Sequence, residues 1–158
     1  MIDRRVCLLL LLACAQASAL KTDRQQEMGL KSDRSETTSA RTELTGNVEI
    51  DQGSLKIRAA RAVIEQANGD VSRVVFDGAP ATLQQEVEDQ GLMRAEAANI
   101  EYVLSEDKVV LTGDVRIERP RGTMRSERVV YHVDSGLLDA GSEGGRVQMT
   151  IKPKTAPN

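Results

Sequence analysis

The chain writes nearly the same strand twice. Leu-Thr-Gly-Asn-Val-Glu-Ile-Asp at 44–51 returns as Leu-Thr-Gly-Asp-Val-Arg-Ile-Glu at 111–118. In both copies the apolar and polar residues alternate, with Leu44, Gly46, Val48 and Ile50 on one side and Thr45, Asn47, Glu49 and Asp51 on the other. A period of two is that of a half-buried strand. The repetition goes further. Ile57 to Ile64, Met93 to Ile100 and Met124 to Tyr131 align without gaps as apolar, Arg, small, two variable, small or branched, variable, apolar. Each is followed by a turn and a second shared strand: Val74 to Ala79, Val109 to Asp114 and, more loosely, Leu137 to Gly141. Leu44 to Asn47 is a fourth copy lacking its first half. A repeat of about 31 to 36 residues is one supersecondary unit that cannot bury its apolar face alone, so the units stack.

Further short alternating runs are read at Leu55 to Ala59, Val71 to Phe76, Ala98 to Leu104, Lys108 to Thr112, Val115 to Glu118, Arg128 to Val133 and Arg146 to Ile151. Turn signals separate them, at Asp51-Gln52-Gly53, Asn68-Gly69-Asp70, Asp77-Gly78-Ala79-Pro80, Asp89-Gln90-Gly91, Ser105-Glu106-Asp107, Pro120-Arg121-Gly122 and Asp134-Ser135-Gly136. Strands at this spacing predict an all-β fold: a sandwich, a jelly roll or a stacked-strand solenoid. The alanine-rich stretches Lys56 to Gln66 and Arg94 to Ile100 suit a helix on propensity. Their alignment with a copy carrying Val129, Val130 and Tyr131 makes them strands. The small residue within each copy, Ala59, Ala95 or Ser126, leaves room for a bend or a close neighbour.

The first residues have a different character. Arg4 and Arg5 precede an apolar run from Val6 to Ala15, and Ala17-Ser18-Ala19 fits the small-x-small rule of signal cleavage. The run is too short to span a membrane, so residues 1–19 are expected to form a cleaved signal peptide. Leu11-Leu12-Ala13-Cys14 loosely resembles a lipoprotein box, but Leu12 fits it poorly beside the good site after Ala19. Cys7 and Cys14 are the two cysteines of the chain, so no disulfide is expected in the processed protein. One β domain is expected over 20–151, with a flexible tail over 152–158 that carries Lys152, Pro153, Lys154 and Pro157.

Catalytic chemistry is sparse. The single histidine, His132, sits between Tyr131 and Val133, which take the opposite face of their strand, and a lone histidine without cysteine is a poor metal ligand. No nucleophile-elbow pattern is present, and Glu86, Glu88 and Asp89 lie in a polar stretch that reads as a solvated hairpin loop. No catalytic residue, metal site or cofactor is therefore expected. A net charge of −3, without a basic patch interleaved with aromatics, argues against nucleic acid. Phe76, Tyr102 and Tyr131 are the only aromatics. A β protein with so little aromatic bulk either packs small aliphatics tightly or leaves a slot for an apolar guest.

These residues resemble a known family. Met28-Gly29-Leu30-Lys31-Ser32-Asp33, Leu-Thr-Gly-Asn-Val, Gln52 to Ile57, Gly78 to Thr82, Val109 to Asp114 and a Lys-Pro tail, in that order behind a signal peptide, are similar to the LptA (OstA-like) periplasmic proteins of lipopolysaccharide transport. The departure from the family lies at Ser35 to Arg41, where a more apolar turn is usual. The resemblance implies an OstA-like β-jelly roll of stacked antiparallel strands, V-shaped with open ends, whose groove holds the acyl chains of lipopolysaccharide. It implies head-to-tail self-association, an inner-membrane LptC-like partner and an outer-membrane LptD-like translocon, with no cofactor. Its motif positions place Met28, Leu30, Leu83, Tyr102 and Leu104 in the lipid-binding groove, and alternation adds Val48, Ile50, Ile57, Ile64, Phe76, Leu111, Ile117 and Tyr131.

An unpaired strand edge recruits another strand. Met28 and Leu30 at one end, and Val147, Met149 and Ile151 at the other, are the candidate oligomer edges. A structural β-assembly protein of the cell envelope without lipid cargo is the alternative. A solenoid enzyme acting on carbohydrate would need acids or histidines clustered on one face, where the aligned repeats place Arg58, Arg94 and Arg125 instead. Those arginines read as a solvated ladder.

Overall fold

The computed structural model describes residues 23–153 other than 144, so the expected signal peptide and most of the expected tail lie outside the described residues. Among them, one antiparallel sheet takes ten strands: β1 Gly29–Lys31, β2 Arg34–Thr37, β3 Arg41–Gln52, β4 Leu55–Ala67, β5 Asp70–Val87, β6 Gly91–Val103, β7 Lys108–Arg119, β8 Gly122–His132, β9 Leu138–Ala140 and β10 Gln148–Ile151. From β3 to β8 each strand pairs with the next through a tight turn. At one edge β1 and β2 lie end to end along β3, and at the other β10 and β9 lie along β8.

The long strands are bent. Their ladders slip between Thr45 and Val48, Arg58 and Arg61, Asp77 and Ala81, Glu96 and Asn99, and Thr112 and Val115. Neighbouring slips align across the sheet and form a corner that divides it into two arms. At the corner the repeated Thr-Gly-Asn/Asp finds its use: Gly46 and Asn47 have φ of 78° and 44°, and Gly113 and Asp114 have 84° and 51°. Two consecutive left-handed residues turn a strand while its ladder resumes on the far side, and Gly followed by Asn or Asp adopts them at least cost. Asn47 Nδ2 also donates to Asp33 Oδ2 at 2.9 Å, which bends the edge strand pair at the same line.

Several sequence boundaries are corrected by this corner. Asp77-Gly78-Ala79-Pro80 is a bend inside the continuous strand β5 rather than a turn between strands, and Lys108 to Thr112 and Val115 to Glu118 are two halves of β7. The alanine-rich stretches are strands as expected, in β4 and β6. The alignment of the repeats is off by two in the second copy. In the sheet, Ile57, Leu83, Ala95, Ile117 and Met124 form one row across the strands, so Ala95 and not Met93 is the counterpart of Ile57. A slide of two preserves which face each residue takes, so alternation alone is blind to it.

Folding the sheet at the corner brings the inward faces of both arms together as one buried cluster. A row from the second arm, Ala62, Phe76, Ile100, Leu111 and Val129, is almost fully buried. It packs with the first-arm side chains Val48, Ile57, Leu83 and Ile117. The result is the open-edged β-jelly roll expected from the sequence.

The corner predicts an uneven response to alanine. A Cβ on Gly113 would come within 2.8 Å of Ala98 Cβ at φ +84°, whereas one on Gly69, in the Asn68-Gly69 hairpin with φ +89°, meets nothing within 4 Å. Gly69→Ala is expected to cost about 1 kcal/mol of backbone strain, and Gly113→Ala roughly 2–3 kcal/mol. Urea unfolding of the two variants measures the difference.

Candidate functional site

Of the residues expected in a groove, Val48, Ile50, Ile57, Ile64, Phe76, Leu83, Tyr102, Leu111, Ile117 and Tyr131 are all buried in the cluster between the arms. Met28 and Leu104 are partly buried and pack against it. Leu30 is 43% exposed. The fold therefore brings these positions to one interior, reached from its ends and from the mouth opposite the corner.

The ends differ. At the β1 and β2 edge an open groove of about 590 Å³ has the apolar side chains Leu30, Leu44, Ile64 and Val71 on one part of its wall and the polar residues Lys31, Ser32, Ser35, Thr42 and Gln66 on the rest. Leu44 and Ile64 also belong to the buried cluster, so this groove continues the apolar interior out to solvent. At the other edge a hollow of about 800 Å³ against β7, β8 and the loop before β10 is lined by charged and polar groups, among them Glu96, Asp114, Arg116, Arg125 and Arg146. The backbone of β10 ends the sheet there, with Met149 61% and Ile151 73% exposed and Val147 exposed beside them. The expected edge residues thus stand at the two termini of the sheet, although Met28 precedes β1 and Val147 precedes β10.

The mouth is closed by polar groups on the tips of the arms. Tyr102 Oη donates to Gln52 Oε1 at 3.2 Å, and Tyr131 Oη donates to Gln85 Oε1 at 2.6 Å. β3 and β6 are separated by two strands within the sheet, so the first bond exists only because the sheet is folded over. Gln85 Nε2 donates to Asp23 Oδ2 at 3.2 Å, and Ser54 donates to the same oxygen, which seats the 3-10 turn Asp23–Gln25 on the first arm. Arg119 reaches across as well, donating from Nη2 to the Gly136 carbonyl at 3.0 Å and from Nη1 to Gln90 Oε1. Burial pushes the Tyr131 phenol up to about 12 and draws the Arg119 guanidinium down from its ordinary value. Both shifts are the mark of groups taken out of water.

Asp23, Gln52, Gln85 and Arg119 were not among the expected site residues. Gln52 read as a turn residue, Gln85 as part of a polar loop, and Arg119 fell just beyond its strand. The signal was present in the alternation: Ile50 leads to Gln52, Leu83 to Gln85 and Ile117 to Arg119, each two residues on and so on the same inward face. Nothing in the local pattern marks Asp23.

The outward face carries the arginines. Arg58 and Arg125 share a row with Thr82, Glu96 and Arg116, whereas Arg94 lies in the next row with Lys56, Gln84, Glu118 and Thr123. The expected equivalence of all three is therefore corrected, again by the slide of two. Arg58 pairs with Glu49 at 3.3 Å, Arg61 with Glu43 at 2.6 Å and Arg73 with Glu101 at 2.8 Å, exposed pairs that contribute little each. Of the acids expected in a hairpin loop, Glu86 lies within β5, one residue before its end, while Glu88 and Asp89 occupy the turn after it, and all three are exposed. Among the described residues no group of three or more His, Cys, Asp or Glu is placed to hold a metal ion.

Residues 30–137 match the model of a family described as LptA/(LptD N-terminal domain) LPS transport protein. The chain is 28% identical to lipopolysaccharide export system protein LptH of Pseudomonas aeruginosa, over 90% of this chain and 89% of that one. It is 29% identical to lipopolysaccharide export system protein LptA of Escherichia coli K12, over 90% of this chain and 79% of the other. A crystal structure of LptH from Pseudomonas aeruginosa, described as the LptA homologous periplasmic component of the lipopolysaccharide transport device, superposes with a TM-score of 0.77 at 24% identity, over 84% of this chain and 99% of that chain.

The buried phenol makes a pH prediction. A tyrosine whose pKa rises on folding from 10.0 to about 12 stabilises the folded state fully below pH 10 and loses that contribution as pH climbs towards 12. The loss is on the order of 2–3 kcal/mol. Tyr131→Phe is expected to flatten this part of the alkaline denaturation profile, measured as urea midpoints between pH 9 and pH 12 against wild type.

Proposed function

Since the chain belongs to the LptA/(LptD N-terminal domain) family of LPS transport proteins, we propose that it carries lipopolysaccharide through the periplasm, with the acyl chains held between the two arms of its folded sheet. The observation that carries this reading is the apolar cluster between the arms, whose members Leu44 and Ile64 also line an open edge groove of about 590 Å³ with Leu30 and Val71. Burial of apolar chain is worth ~0.8 kcal/mol per CH₂, so an acyl chain of about a dozen carbons gains on the order of 10 kcal/mol gross. Hydrophobic burial suffices to hold such a cargo, and direction must come from the partners.

In this reading residues 1–19 are the export signal, 20–151 the working domain and 152–158 a tail. The protein makes and breaks no covalent bond and needs no cofactor. It bridges the two membranes by strand addition, the β1 edge of one copy meeting the β10 edge of the next, with an LptC-like component at the inner membrane and an LptD-like translocon at the outer membrane. An unblunted edge on each terminus of the sheet supports this, because a joint between two different edges propagates rather than closes. The Met28, Leu30, Leu83 and Leu104 side chains, with the buried positions between them, are the proposed lipid contacts.

Photo-crosslinking tests cargo placement. With a photoreactive residue at Leu30 or Leu104, the purified protein incubated with lipopolysaccharide is expected to form adducts, and the exposed position Glu106 is expected to form none. A folded protein that gives no adduct at either site would remove the carrier reading and favour an envelope assembly protein. Strand addition is tested separately. Ile151→Asp places a charge on the exposed β10 edge, where it is expected to raise the dissociation constant for self-association about tenfold or more by sedimentation velocity while leaving the thermal midpoint of the monomer unchanged.

A further inference from the structure

Among the described residues, Arg119 faces inward at the mouth and has no carboxylate within ion-pair distance, although the Asp23 carboxylate belongs to the same polar network. Arg58, Arg61, Arg73 and Arg116 each stand within ion-pair distance of a carboxylate on the outward face. Arg119 follows Ile117 by two residues and so shares its inward face. Its bonds are to neutral partners only: the Gly136 carbonyl, the Gln90 side chain and, at 3.7 Å, Met93 Sδ. Among the described residues its Nε is a buried donor with no hydrogen-bond partner. A half-buried guanidinium with no carboxylate beside it, and with its buried Nε unused, is disfavoured in the empty protein and is stabilised by an arriving anion. Its fork geometry suits phosphate above other anions.

Its setting adds to this. Arg119 bonds Gly136, which lines one cleft with Gln85 and Tyr131, and that bonded pair, like Gln52 and Tyr102 further along the rim, ties the arm tips together above the apolar cluster. A ligand with apolar chains in that cluster has its polar head at this lip. Resting on the proposed carriage of lipopolysaccharide, we infer that Arg119 is an anchor for a phosphate group on the head of the acylated sugar, while Gln52, Gln85 and the two tyrosines exchange their mutual hydrogen bonds for bonds to the amide, ester and hydroxyl groups of that head. The closed mouth is then the unliganded arrangement of the same groups that grip the cargo. Glu86, Glu88 and Asp134 line the adjoining cleft of about 80 Å³, and with Asp23 behind Gln85 they oppose further negative charge, so a single phosphate is held and the gain is moderate.

Equilibrium binding of lipid A, and of the same lipid stripped of its phosphates, to wild type, Arg119→Gln and Arg119→Lys tests the assignment. Arg119→Gln is expected to weaken lipid A about tenfold and the phosphate-free lipid less than about twofold, so that the preference for phosphate disappears. Arg119→Lys keeps the charge but not the fork, and is expected to fall between the two. Equal losses on both lipids would show a structural role for Arg119 and overturn the inference. So would wild type binding both lipids with one affinity, which leaves carriage itself intact. Wild type that binds neither lipid would overturn carriage and anchor together. Inorganic phosphate alone is the remaining arm. Arg119-dependent binding of it, without preference for the phosphorylated lipid, would make this a free-anion site and exclude the headgroup.

Discussion

A β-strand can be bent sharply only where its ladder tolerates an extra residue, and this protein depends on placing that tolerance at the same height in every long strand. The aligned slips from Thr45 to Val115 fold one sheet into two arms, and every buried contact between Leu83 and its second-arm partners follows from that fold. The left-handed pairs Gly46-Asn47 and Gly113-Asp114 mark the corner in β3 and β7. In β4 and β6 the space is made by alanines, at Ala59-Ala60 and Ala97-Ala98, so that the Cβ of Ala98 lies under Gly113. Glycine on one strand and alanine on its neighbour are two halves of a single steric condition.

The interior shows why so few aromatics suffice. Near the corner Ala62, Ala81 and Ala97 are buried beside Phe76, which stands in the row of Ala62, and towards the tips Tyr102 and Tyr131 add bulk. Small residues next to one large ring let the arms close at the apex without a void. The two tyrosines reach polar partners because they stand at the rim, where a hydroxyl has glutamine to bond rather than hydrocarbon. The same position leaves the rim as the part of the interior held by a few hydrogen bonds instead of continuous strand pairing. In a carrier, that is where separation of the arms is least expensive.

The two termini of the sheet complement this arrangement. The end that begins the chain opens into an apolar groove, and the end that finishes it is bordered by arginines and carboxylates. Among the described residues, both end in an edge strand with no further strand beside it, and at both the edge is assembled from two short strands, because the corner breaks any strand laid along it.

Much of this was written in the residues. Strict alternation determined that the described part of the chain is built of strands, two short 3-10 turns aside, and which side of each strand faces inward, since the period of two survives any tertiary context in which one face is buried. The repeated Leu-Thr-Gly-Asn/Asp announced a special backbone position in β3 and β7. Tertiary structure decided the rest. Alternation cannot distinguish registers that differ by two, so only the assembled ladder showed that Ala95, not Met93, stands beside Leu83. Nor can it tell a bend from a turn, so only the continuous pairing of β5 with both neighbours showed that Gly78 to Pro80 lies within a strand. The mouth was the least legible part. Gln52, Gln85 and Arg119 are polar residues at inward positions, and their partners are brought to them by a fold of the whole sheet, a contact between distant segments that no local pattern encodes.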